Sequence, residues 1–64
     1  MLIGAIGHVT GKVGPGLVGE VTIEVRGGTD SYAAYGKDDE VIEVGSRIVV
    51  VEEMPPRSVR VDKY

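Results

Sequence analysis

A chain of 64 residues makes a single domain near the lower limit for burying its own core, hiding only about 60% of the surface its unfolded form exposes. With no cysteine there is neither a disulfide staple nor a thiolate metal site, so closure of the fold or a partner has to supply that stabilisation. Ten acidic residues against seven basic ones give a formal charge of −3, which opposes a general attraction to phosphate backbones, and no apolar run approaches the ~18 residues of a membrane span.

Glycine dominates the first part of the chain: Gly4, Gly7, Gly11, Gly14, Gly16 and Gly19. Residues 1–7 read as a flexible or membrane-proximal lead-in. Residues 8–13 read as a first strand, with Val9 and Val13 on one face and Gly11 placed to allow a bulge or strong coiling. Gly14-Pro15-Gly16 is a turn, because Pro15 cannot donate to a ladder. The glycine spacing invites a phosphate-loop reading, but a phosphate cradle needs a helix N-terminus behind it. The stretch after Gly19 instead alternates with period two, as a strand does. Val21, Ile23 and Val25 face inward, and Glu20, Thr22, Glu24 and Arg26 face outward.

Gly27-Gly28-Thr29-Asp30 is the expected hairpin turn. Residues 31–35 return as a strand with Tyr32 and Ala34 on one face and Ala33 and Tyr35 on the other, and residues 36–40 form a polar loop. The stretch 41–51 organises the rest. Gly45 turns the chain, with the positive φ that glycine alone adopts without strain. The β-branched run Ile48-Val49-Val50-Val51 then predicts a central strand with both faces largely covered. Met54-Pro55-Pro56-Arg57 is a stiff turn, and residues 58–62 close the chain with Val59 and Val61 inward.

Five short strands with turns at roughly 8–12-residue spacing predict an all-β fold, a small five-stranded OB-like β-barrel spanning residues 1–64. Its expected core is Val21, Ile23, Val25, Ile42, Ile48, Val50, Val59 and Val61.

Little in this sequence carries chemistry. His8 is the single histidine, and Thr10 shares its face, but nucleophilic catalysis needs a base oriented by a third group, which the pattern does not supply. Asp38, Asp39 and Glu40 are adjacent, whereas calcium loops spread their oxygen ligands over about twelve residues. No catalytic, cofactor-binding or metal residue is assigned, and no enzyme activity is expected. Single-strand binding by such barrels uses aromatic platforms and a basic groove. Here the aromatics are Tyr32, Tyr35 and Tyr64 alone and the cations are scattered, so an OB-fold nucleic-acid-binding domain is the second reading.

Several short motifs carry a family resemblance. Val18-Gly19-Glu20-Val21, Gly27-Gly28, Tyr32-Ala33-Ala34, Ile42-Glu43-Val44-Gly45, Ile48-Val49-Val50-Val51 and Val59-Arg60-Val61 occur in that order. Over roughly residues 13–62 the chain resembles the C-terminal soluble domain of NfeD-like proteins. It departs at Pro55-Pro56, where the family more often has a glycine-bearing turn, and at Tyr32, where a tryptophan is common.

The resemblance implies a five-stranded OB-like barrel that ends a small membrane protein. It also implies a protein-interaction role with stomatin, prohibitin or flotillin-type membrane scaffolds. The domain would then be tethered to the membrane only through a segment absent from this chain, on the cytoplasmic side. Nothing here matches the serine-protease domain of longer family members. Val51-Glu52-Glu53-Met54 also looks like the turn of a biotinyl or lipoyl carrier. The acylated lysine of such a carrier is replaced by Pro55, which leaves a degenerate carrier as the third reading.

If Ile48 and Val50 point into the barrel, Val49 and Val51 point out. Two outward β-branched residues on one strand need a cover: the glycine-rich N-terminal segment, a partner, or a second copy of the chain. Val49 and Val51 are therefore the candidate interaction surface.

Overall fold

The computed structural model describes residues 2–64. Five strands, β1 (Ile6–Gly11), β2 (Gly19–Val25), β3 (Gly28–Gly36), β4 (Arg47–Met54) and β5 (Ser58–Lys63), close into a barrel in the order β1-β2-β3-β5-β4. Four of the junctions are antiparallel, and β3 and β5 run parallel. A one-turn 3-10 helix at Lys37–Asp39 and a turn at residues 44–45 lie between β3 and β4. This is the expected all-β, OB-like architecture.

Alternation builds the interior. Val21 and Ile23 of β2, Ile48 and Val50 of β4, and Val59 and Val61 of β5 are buried, and Ile42 joins them. Val9, Val13 and Ala34 complete the core, and it holds no buried polar or charged side chain among the described residues. Val25, expected inside, is only partly buried. It ends β2 opposite Gly28, where the hairpin runs beyond the barrel wall and no facing strand covers it.

Two boundaries differ from the sequence expectation. The β2–β3 turn is Arg26-Gly27, with Gly27 at φ +84°, and not residues 27–30. Thr29 and Asp30 already pair with Glu24 and Ile23, so residues with turn-forming chemistry sit in a ladder. At the front, β1 begins at Ile6, and the residues before it are tied to β4. The Gly4 amide donates to the Val50 carbonyl, and the Val50 amide donates to the Ala5 carbonyl. Leu2 and Ala5 pack on the core from this end.

Two bulges shape the wall. Val9 pairs with Val21 and Gly11 with Glu20, so Thr10 is the extra residue on β1, beside the glycine that permits it. On β4, Val50 pairs with Val61 and Glu52 with Arg60, which leaves Val51 as the extra residue. Beyond β1, Val13 and Ile42 exchange both backbone hydrogen bonds, and the Gly45 amide donates to the Val9 carbonyl. Gly45 sits at φ +92°, the positive value expected of it.

Candidate interaction surface

A filled interior moves any function to the outside of the barrel, so the outer faces and loops are the places to look. The β4 strip has a simple geometry. Val49 is half-buried, opposite Ile6 on β1 and Asp62 on β5. Val51 is 38% exposed. The expectation that both faces of this strand are covered holds for the inner face alone, because the bulge places Val51 outside the ladder register. Ile6 is the β1 residue directly across from Val49.

The residues weighed for chemistry are not brought together. His8 is exposed on the outer face of β1, across from Thr22 and Arg47. It lines a shallow groove with Glu24 and Arg47, but among the described residues its side chain makes no hydrogen bond or ion pair. The Thr10 hydroxyl lies 3.3 Å from both the backbone and the carboxylate oxygens of Glu20. Among the described residues no group of three or more His, Asp or Glu side chains is placed to hold a metal ion. Val51 to Met54 lie inside β4 and not at a hairpin tip, and the turn beyond them is residues 55–57. The position a carrier lysine would take is Pro55, in that turn, and it offers no amine for acylation.

The aromatics do not form a platform. Tyr32 is partly buried at one end of the barrel, with the Arg57 guanidinium 4.7 Å over its ring. The same Arg57 donates to Asp30 at 3.0 Å. This cation–π contact and ion pair engage one face of the Tyr32 ring and tie Arg57 to Asp30, so the ring does not stand as an open stacking platform. Tyr35 and Tyr64 are exposed on other parts of the surface. We expect titration with single-stranded DNA or RNA at low salt, where charge is least screened, to give no micromolar binding. Binding at that level would restore the nucleic-acid reading.

Charge is unevenly compensated. Lys12 pairs with Glu43 at 3.6 Å, Lys37 with Asp62 at 3.9 Å, Arg57 with Asp30 at 3.0 Å and Arg60 with Glu52 at 3.0 Å. All are surface pairs, worth little to stability, but they leave Asp38, Asp39 and Glu40 without a cationic partner among the described residues.

A second apolar patch was not legible in the sequence. Leu17 is 52% exposed, Val18 60% and Val41 46%. Leu17 and Val18 follow the Gly14–Gly16 turn in a segment that sequence reasoning treats only as a connection. Two apolar residues directly after a turn, outside any alternation, are the signal that was available.

These features define a class of molecule: a closed five-stranded barrel with a solid, apolar interior. The model of the NfeD C-terminal domain matches residues 6–62, and the chain belongs to that family. It is also similar to a solved structure, the C-terminal domain of stomatin operon partner protein 1510-C from Pyrococcus horikoshii. The identity is 32% over 98% of this chain and 88% of that chain, with a TM-score of 0.70. No curated protein matches.

Proposed function

We propose that this domain is a non-catalytic adaptor that docks a membrane scaffold protein of the stomatin, prohibitin or flotillin type. One observation carries the reading: ten apolar side chains fill the barrel while Val51, on the outside of β4, stays exposed. A five-stranded barrel packed with its own side chains has no interior volume for a ligand. Membership in the NfeD C-terminal domain family and likeness to a stomatin operon partner domain support the choice of partner. Among the described residues no helix is long and apolar enough to cross a membrane. The reading places a membrane tether in a segment outside this chain, with the domain on the cytoplasmic side.

In this reading Val49 and Val51, flanked by Ile6, form the contact strip, which serves the scaffold protein or a second copy of the domain. Changing Val49→Thr together with Val51→Lys tests it. The double variant is expected to keep the parent melting transition and to lose both self-association in sedimentation and binding to a purified stomatin-type scaffold domain. A variant that unfolds would place the pair in the core, and one that binds unchanged would remove the strip from the interface.

A further inference from the structure

We infer that Leu17, Val18, Val41 and Tyr35 form a second docking surface, built to receive a basic amphipathic segment of a protein partner. The patch is assembled from three separate parts of the chain. Val13 and Ile42 pair through both backbone hydrogen bonds, which sets Val41 beside Gly14. The Leu17 amide in turn donates to the Gly14 carbonyl at 3.0 Å. The consequence can be measured at Gly14, where a Cβ would lie 3.6 Å from a Val41 methyl and 3.7 Å from a Leu17 methyl. Both side chains thus border the space over a glycine that presents no side chain of its own. Val18 and Tyr35 continue the surface into a shallow groove floored by Gly14 and Gly36 and bordered by Asp39 and Arg60.

Four of the large apolar side chains that this domain exposes therefore lie in one place, and all are at least 38% exposed. Contiguous apolar surface rimmed by polar groups marks an interaction site, whereas scattered exposed residues do not. The patch is also distinct from the β4 strip. Going round the wall from Tyr35 on β3, Arg60 and Asp62 of β5 and Glu52 of β4 come before Val51 and Val49.

Charge decides what fits. The cations nearest the patch are already occupied, Lys12 by Glu43, Lys37 by Asp62 and Arg60 by Glu52. Asp38, Asp39 and Glu40 stand next to the groove with no such partner among the described residues. Asp39 lines the groove itself, and Glu40 immediately precedes Val41 in the chain. The free carboxylates repel an anionic lipid surface or a nucleic acid and attract a cationic partner. An apolar floor with an acidic rim complements an amphipathic segment with Leu or Val on one face and Lys or Arg beside it. The inference goes beyond the adaptor role proposed above and does not depend on the β4 strip.

The test uses three labelled synthetic peptides and fluorescence anisotropy. The first has Leu on one helical face and Lys elsewhere. The second replaces each Lys by Glu, and the third replaces each Leu by Ser. The first is expected to bind roughly tenfold or more tightly than either of the others, and to weaken as salt rises. Leu17→Ser with Val41→Thr should lower its affinity by roughly tenfold while the fold survives, since both side chains are about half exposed.

An independent variant, Asp38→Asn with Asp39→Asn and Glu40→Gln, should abolish the preference for Lys over Glu and flatten the salt dependence. Asn suits the first two positions because their φ values are +55° and +58°, and Asn tolerates that region. The Val49→Thr, Val51→Lys variant should bind the first peptide as the parent does, so failure of either surface is read separately. Equal binding of all three peptides, unchanged binding by the patch variants, or retention on phosphatidylserine vesicles in place of the peptide would overturn the inference. Loss of the peptide in the β4 variant would also overturn it and assign the docking to that strip.

Discussion

An Ile48→Ala variant is expected to have no cooperative melting transition and to lose the circular dichroism of the folded parent at room temperature. Ile48 is fully buried in β4, between Gly7 of β1 and Lys63 of β5 in the register of the barrel. At Gly7 the space a side chain would take is held by β2 backbone, the Thr22 carbonyl and the Ile23 Cα, so the wall beside Ile48 is already tightly packed. Truncating a buried isoleucine to alanine costs about 2–5 kcal/mol, the upper values arising where the surroundings cannot collapse into the cavity. A barrel closed by hydrogen bonds all the way round has little freedom to collapse. Total stability for so short a chain is close to the ~5 kcal/mol floor of small domains, so the loss takes most of it. A variant that kept the parent melting temperature would show that Ile48 does not face the interior and that the register of β4 is wrong.

Much of this core is legible in the sequence because strands advertise themselves by period-two alternation. Val21 and Ile23, and Val59 and Val61, sit where the alternation puts them. The alternation fails at Val25, since a local pattern cannot tell how far a hairpin extends past the wall it belongs to. Turn chemistry misleads in a related way. Thr29 and Asp30 are turn formers by composition, but the two-residue loop at Arg26-Gly27 satisfies the reversal first, and the ladder claims both residues.

Closure itself is a matter of long-range pairing. The parallel β3–β5 junction joins Ala33–Gly36 to Ser58–Val61, far apart in the chain, and no local signal records it. The candidate surfaces divide along the same line. Val49 and Val51 follow from strand parity, which needs only the sequence. The placing of Leu17 and Val41 on either side of Gly14 needs the Val13–Ile42 bridge to exist first.

The glycines of the first segment carry a separate constraint, and Gly19 tests it most sharply. Gly19→Ala is expected to destabilise the domain by about 3 kcal/mol, the upper part of the range for overpacking a filled core. Gly19 is buried at the start of β2, with the chain between β1 and the Gly14–Gly16 turn passing directly over it. A Cβ at this position would lie 2.4 Å from a Val13 methyl, 2.6 Å from the Gly11 carbonyl oxygen and 2.8 Å from the Lys12 carbonyl oxygen. Two of the three obstacles are backbone, and they belong to the segment that leads from the β1 bulge to the Val13–Ile42 bridge. That segment cannot withdraw without breaking the bridge, and Val13 cannot turn aside without leaving the core. Gly28→Ala is the matched control. It also adds one methyl group near the start of a strand, but nothing lies within 4 Å of it, so the same change there should be neutral or slightly stabilising through the unfolded chain. Thermal melts of the two variants decide the matter. A large loss for Gly19→Ala beside an unchanged or higher transition for Gly28→Ala is the expected result, whereas equal small shifts would mean that the 11–13 segment is not packed on β2 as described.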